Sequence, residues 1–345
     1  MLDTPVTNEP GVTRAYTVHA RGLWHRLLVR HEAVVLVVLV VVWMYANAGI
    51  AGFGRPITLT FLLLDVAPIL LMVLPMTLVI ISGEIDLSVA SVFGLASVVL
   101  GVMVKAGVPI ALAVLTAGLV GVVAGLVNGF LVTVLGLPSL AVTIGTLALF
   151  RGLAVGLLGT KAVTEFPPGW TSSAQSTIGD SAVPVIVVPI AVLAIAIGVL
   201  LHLTPFGRGV YAVGLSDEAA IFSGVLVKRT KLVVFALSGL CAALAGVFYT
   251  LRFGNAIGSN GVGLELGVIA AVVLGGTSIF GGRGSVAGSV LGALLIAVLA
   301  SALRLAKVPA NAIDIITGAI LVLSIAVTMA IPFFAQRFTR ERRAG

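Results

Sequence analysis

The sequence predicts an all-α, polytopic membrane fold of about ten transmembrane helices, each near the ~20 residues needed to cross the hydrocarbon core. Three observations predict it. Of 345 residues, 59% are hydrophobic and only 10% are charged, with a mean hydropathy of +1.22. A soluble core cannot bury that much apolar surface. The apolar residues fall in long windows, without the short alternating segments of a membrane barrel. Backbone amides in lipid must be satisfied within their own segment, so these windows are helices.

In chain order the windows lie near residues 33–50, 58–81, 87–104, 108–134, 139–158, 183–203, 231–250, 264–280, 285–303 and 311–331. The first, Ala33 to Val42 followed by "ANA" at 46–48, has the outline of a signal peptide with a small-residue cleavage site. The polar segment before it is longer than a signal's basic region, so an uncleaved first helix is expected. The remaining windows are separated by short joins, except for a stretch at 159–182 and a polar, basic one near 204–230.

An even number of spans puts both termini on one side, and lysine and arginine counts choose the side. With the termini go Arg14, Arg21, Arg26, Arg30, Arg208, Lys228, Arg229, Lys231, Arg283, Arg337, Arg340, Arg342 and Arg343, thirteen residues. The opposite loops hold six: Arg55, Lys105, Lys161, Arg252, Arg304 and Lys307. The expected layout is a cytoplasmic N-terminal tail over 1–32, a membrane domain over 33–331 with a cytoplasmic loop at 204–230, and a cytoplasmic tail over 332–345. The net charge of +7 is therefore a topology signal. It forms no basic patch with interleaved aromatics, and no nucleic-acid partner is expected.

Several chemistries are set aside. Cys241 is the single cysteine and lies in an apolar run, so it fits a packing role. "GRGSVA" at 282–287 has the glycine spacing of a dinucleotide fingerprint, yet no acidic residue follows about 20 positions later and no βαβ rhythm surrounds it. There is no G-x-x-x-x-G-K-[ST] phosphate loop. His19, His25 and His31 recur at intervals that do not make a helical metal face. No catalytic residues, no metal and no cofactor bound by this chain are expected.

Three intramembrane clusters stand out. "ISGEIDLSVAS" at 81–91 places Glu84 and Asp86 at the join of two spans; Asp86 and Ser88 suit the N-terminus of the next helix. "VLGGTSIFGGRGSVAG" at 273–288 includes Gly275, Gly276, Gly281, Gly282 and Gly284 and reads as a tight structural join. "TIGTLALFRG" at 143–152 holds Arg151 at membrane depth, where an arginine snorkels or pairs with a carboxylate. The segments "SVASVFG" (88–94) and "SVAGSVLG" (285–292) echo one another, as internal repeats do in transporters. Polar residues near broken or joined helices, Glu84, Asp86, Asn128, Thr143 and Asn311, are the candidates for a translocation path.

The polar stretch contains "LSDEAAIFSGV" at 215–225. Ser216 suits an N-cap, Asp217 and Glu218 sit in the first turn where the dipole favours carboxylates, and Gly224 suits the left-handed end. So short a helix is not stable alone in water and must pack on something. Ala219, Ala220, Ile221 and Val225 offer a small apolar surface, either to a partner protein or to the chain's own membrane domain.

Taken together, "SGEIDLSVAS", "VNGFLVTVLGLPSLAVTIGTLALFRGLA", "TPFGRGVYAVGLSDEAAIFSGVLVKRTK" and "VVLGGTSIFGGRGSVAGSVLGALL" resemble the permease subunits of the ribose, arabinose and xylose type of bacterial ABC importers. The resemblance runs from about Leu59 to Val327, and departs from the family where Glu84 replaces a glycine and Ala90 another. It implies a subunit of the bacterial inner membrane that pairs with a second permease, homo- or heterodimeric. A periplasmic sugar-binding protein would dock outside, and ATPase subunits carrying ATP and Mg would dock inside. The segment matching 204–228 is then the coupling element, with Arg208, Ser216, Asp217, Glu218, Ala219, Ala220 and Gly224 as its residues. The implied cargo is a monosaccharide or similar polyol. Branched-chain amino acid or nucleoside ABC permeases, and ion-coupled secondary transporters, are the alternatives.

Overall fold

A computed structural model describes residues 31–323 apart from 160, 314 and 321. The tail assignments at 1–30 and 332–345, with their arginines, lie outside the described residues. The described chain is helical, with two isolated β-bridges, Val163 with Ala256 and Thr177 with Pro184.

The helices in order are α1 (His31–Gly49), α2 (Pro56–Ile81), α3 (Val89–Lys105), α4 (Ile110–Thr133), α5 (Ser139–Leu158) and α6 (Pro168–Gln175). They continue as α7 (Val187–Leu203), α8 (Pro205–Leu215), α9 (Asp217–Phe222), α10 (Val227–Phe253), α11 (Leu264–Leu274) and α12 (Val286–Leu305). A further short helix covers Ala310–Ile320.

The expectation of ten crossings is only approximate. Six described helices are long and apolar enough to span, and a seventh span results if α7 and α8, bent by 70°, count as one. The difference has identifiable causes. Helix α11 has 11 residues and rises about 16 Å, half the hydrocarbon thickness. It starts part-way into the bundle because the chain after α10 turns back inward. Gly254 caps α10 in the left-handed region (φ 59°), and Asn260 then donates through Nδ2 to Ser97 Oγ at 2.9 Å, near the middle of α3. Ser97 and Thr250 hydroxyls pair at 2.5 Å, so this re-entrant segment is tied to both α3 and α10. Gly94 makes room for the approach: a Cβ there would lie 2.5 Å from the Asn260 carbonyl oxygen.

The break between α7 and α8 is also encoded locally. Thr204 takes an extended conformation and its hydroxyl accepts from Gly207 N at 3.3 Å, while Pro205 occupies the first helical turn. The stretch read as a loop is therefore mostly helix.

At the centre lie α2, α3 and α10, the most deeply buried helices. α4 presents Ala113, Ala117, Gly121, Gly125 and Gly129, one face at a spacing of four, to α10. A Cβ at Gly125 would fall on the Phe235 carbonyl, and one at Gly121 on the Gly239 carbonyl. Small residues let these two backbones touch, the expected basis of helix association in lipid. Large apolar side chains on α1, α4, α5 and α7, such as Val37, Leu115, Leu149 and Ile195, face outward as lipid-exposed surface does.

Candidate functional site

The end of α2, the end of α8 and the glycine join before α12 meet in one knot of backbone. Gly282 N donates to the Ile81 carbonyl at 2.9 Å. Gly281 has φ +82°, and a Cβ there would lie 2.6 Å from the Gly214 oxygen and 2.9 Å from Gly83 Cα. Gly214 in turn sits so close to Ile81 that a Cβ would overlap the Ile81 carbonyl. The residues nominated as a structural join all make close approaches: Gly275 packs on Gly288, Gly276 faces the His31 ring, Gly282 faces Leu215, and Gly284 faces Thr277 and Ile81. Tyr211 on α8 donates to the Gly284 carbonyl at 2.8 Å, adding a side-chain tie across the same knot.

Helix α9 hangs directly beneath this knot. Ser216 Oγ accepts from Ala219 N at 3.2 Å, Asp217 and Glu218 occupy the first turn, and Gly224 has φ +80°. Ala220 is only 1% exposed; it packs with Val213 and Val227, while Val225 lies against the same cluster. The small apolar surface expected of this helix is thus divided. Ala220 and Val225 dock it onto α8 and α10, whereas Ile221 and Phe222 point away, with Phe222 92% exposed. Leu215 and Leu226 flank them and are also exposed. Arg208, Glu218 and Ala219 are also exposed.

Sequence reasoning missed Phe222, although an aromatic residue in a capped six-residue helix was the available signal. It also missed Lys231. The Lys231 ammonium lies 2.6 Å from Asp217 Oδ2 and 2.7 Å from Glu84 Oε1, joining α9, the start of α10 and the α2–α3 join. Glu84, nominated for the path, is thereby placed at the foot of α9.

The other path residues separate into a buried network and an outlier. Asp86 Oδ1 accepts from Ser88 N at 2.9 Å and Ser88 Oγ at 2.6 Å, and Asp86 Oδ2 accepts from Ser238 Oγ at 2.8 Å. Three donors offset the cost of burying this carboxylate. Asn128 Nδ2 donates to Ser88 Oγ at 2.7 Å; its Oδ1 is buried without a hydrogen-bond partner. Thr143 donates to the carbonyls of Ser139 at 2.8 Å and Ile85 at 3.1 Å, while Ser139 Oγ accepts from Ile85 N. The non-helical segment 82–88 is therefore held by α4, α5 and α10 together. Asn311 is exposed on the short helix Ala310–Ile320, apart from that network. Arg151 makes no ion pair among the described residues, and its Nη2 is buried without a partner.

At the far end of the bundle stands another residue the sequence reading passed over. Asp65, the one acid within α2, pairs with Arg252 of α10 and, at 2.9 Å, with Arg304 of α12. A lone intramembrane carboxylate was itself the signal.

Comparison with known proteins places this arrangement. Residues 58–325 match the family model described as the permease component of the branched-chain amino acid transport system, a span that includes α9, the glycine knot and both ion networks. The chain belongs to this permease family. The permease is 37% identical over 256 residues to the autoinducer 2 import system permease protein LsrD of Yersinia enterocolitica, covering 72% of this chain and 77% of that one. It is 36% identical over 291 residues to LsrC of Salmonella choleraesuis, the corresponding import permease, covering 84% and 83%. With LsrD of Escherichia coli K12 it shares 37% over 255 residues, covering 72% and 77%. No solved structure matches the permease. It is a multi-pass membrane protein and the permease component of an ABC-type importer, as its resemblance to the sugar permeases implied.

Proposed function

We propose that this permease moves a monosaccharide or a similar small, hydroxylated molecule inward, in a complex with a second permease, ATPase subunits and a periplasmic binding protein. The single observation that carries the assembly is α9: a capped helix docked by Ala220 and presenting Ile221 and Phe222 outward beneath a rigid glycine knot. An exposed aromatic on a preorganised helix is the form of an interface anchor. Of the surface expected at Ala219, Ala220, Ile221 and Val225, Ala219 and Ile221 face outward, and Phe222 extends it. In this reading both termini are cytoplasmic, the membrane is the bacterial inner membrane, and ATP is hydrolysed on the partner subunit. ATP-driven closure of the ATPases displaces α9, and the knot passes the displacement to α2 and α12. A switch of access follows only if the two states differ in the contacts they offer.

The substrate class rests on the autoinducer 2 relatives together with the resemblance to sugar permeases. Of the path residues, Asn128 has a buried carbonyl oxygen with no partner in this state, which suits it to accept a substrate hydroxyl in the other. Asp86 and Thr143 have their hydrogen bonds committed to the join.

Reconstitution with the cognate ATPase and binding protein tests the reading. ATP hydrolysis stimulated by ribose or autoinducer 2 through the loaded binding protein is expected, together with uptake. Uptake driven by an ion gradient without the ATPase would overturn it. Stimulation by leucine alone would keep the importer and replace the substrate class with the one in the family's description.

A further inference from the structure

Lys231 is the only cation that the described structure places between α9 and the membrane core, and it is shared by two carboxylates. We propose that Lys231 is a positioning residue that latches α9 to the α2–α3 join through Asp217 and Glu84, an inference that rests on the coupling role of α9. Three features support it. The Lys231 side chain is largely enclosed, 11% exposed, as is that of Glu84 at 12%, whereas that of Asp217 is 48% exposed. The fixed half of the latch is thus within the bundle, and the accessible half rides on the helix that has to move. Asp217 and Glu84 belong to separate elements that Lys231 alone joins by charge; without it two carboxylates would face each other and push α9 outward. Finally, the helix carrying Lys231 is clamped to α2 at the other end as well, with the order of charges reversed. There Asp65 of α2 holds Arg252 of α10 and Arg304 of α12. Ion pairs thus fasten α10 to α2 at one end and to the join that follows α2 at the other.

The charge arithmetic separates a latch from ordinary packing. Lys231→Met leaves two anions and no cation, the worst arrangement. Adding Glu84→Met leaves one half-exposed carboxylate that water can solvate. A latch predicts that the second substitution relieves the repulsion without restoring the tie, so release falls only part of the way back; loss of packing predicts that release rises further.

The test uses the full chain in nanodiscs with Cys241→Ala, and a nitroxide on a cysteine introduced at exposed Ser223, the C-cap of α9. The parent should give an immobilised spectrum, which Lys231→Arg preserves. Lys231→Met should raise the mobile fraction about tenfold, the scale set by breaking a largely buried pair with one solvent-screened partner. The double variant Lys231→Met with Glu84→Met should return it part of the way, leaving it between Lys231→Met and the parent. If Lys231→Met does not accumulate, Asp217→Lys sets two cations against each other at a half-exposed position and should give the same release. Parent-like spectra in both Lys231→Met and Asp217→Lys overturn the proposal, and so does a release that the double variant increases. Co-purification of the cognate ATPase with the unlabelled parent is measured separately. Its absence would remove the coupling role of α9, while the label alone decides whether the latch exists.

Discussion

Asp86 Oδ2 accepts a hydrogen bond from Ser238 Oγ at 2.8 Å, joining the non-helical α2–α3 segment to the middle of α10 deep inside the bundle. The same carboxylate takes two more hydrogens from Ser88, and both residues are almost wholly buried. A carboxylate in this position serves as the acceptor around which the join folds. Removing it leaves three donors unsatisfied at once, whereas removing Ser238 deletes one charge-assisted bond.

Asp86→Ala is therefore expected to be the more damaging change. Each orphaned buried donor costs about 1–3 kcal/mol, and the loss of one hydrogen bond to a charged group about 1.5–3 kcal/mol. Thermal unfolding of the detergent-solubilised protein should show Asp86→Ala well below Ser238→Ala, and Ser238→Ala below the parent. Equal melting temperatures for all three would mean that the network around Asp86 contributes nothing to holding the join.

A second expectation separates the two sides of α9. Phe222→Ala should leave the melting temperature unchanged and weaken ATPase binding by about 2 kcal/mol, the size of an interface anchor. Ala220→Glu should act through the fold, because it drives a carboxylate between Val213 and Val227. Binding measured by surface plasmon resonance, alongside thermal unfolding, distinguishes them. If Phe222→Ala bound the ATPase like the parent, the outward face of α9 would not be the contact.

Much of this architecture was legible in the sequence because membrane physics leaves few choices. The apolar windows located helices near every predicted position, and Ser216, Asp217 and Gly224 gave the ends of α9 from local capping chemistry alone. What could not be read was depth and direction. Residues 264–280 look like a span by composition, and only the tertiary hydrogen bond from Asn260 to Ser97 explains why α11 begins inside the bundle. Glu84 and Asp86 are two residues apart and looked alike on paper. The turn between the spans sends Asp86 into a cage of hydroxyls and Glu84 out to Lys231, 147 positions away, a separation no local signal reports. Lys231 was counted as a topology signal, which concealed that its side chain is largely enclosed.

The glycines separate by what surrounds them. Gly281→Leu should cut the yield of folded protein sharply, since the position has φ +82° and its Cβ would meet the Gly214 oxygen and Gly83 Cα. At Gly145 on α5 a Cβ would meet nothing within 4 Å, and the backbone there is ordinary helix, so Gly145→Leu should fold normally. Size-exclusion profiles of the two variants give the comparison. Should Gly281→Leu fold normally and alter substrate preference, the knot would be a recognition element and its structural role would fall.

The ion network at the far end carries its own asymmetry. Arg252 is buried and pairs with Asp65, while Arg304 shares the same carboxylate from a position 62% exposed. Asp65→Ala strands a buried guanidinium and should cost about 3 kcal/mol or more. Arg304→Ala removes a solvated partner and should cost under about 1 kcal/mol, with the difference shrinking further in high salt. Combining Asp65→Ala with Arg252→Met removes the stranded charge and should recover much of the first loss. Denaturant or thermal unfolding of the single and double variants measures the coupling between α2 and α10 directly. Additive losses in the double variant would show that Asp65 and Arg252 contribute independently, and that the two helices are not fastened at this end.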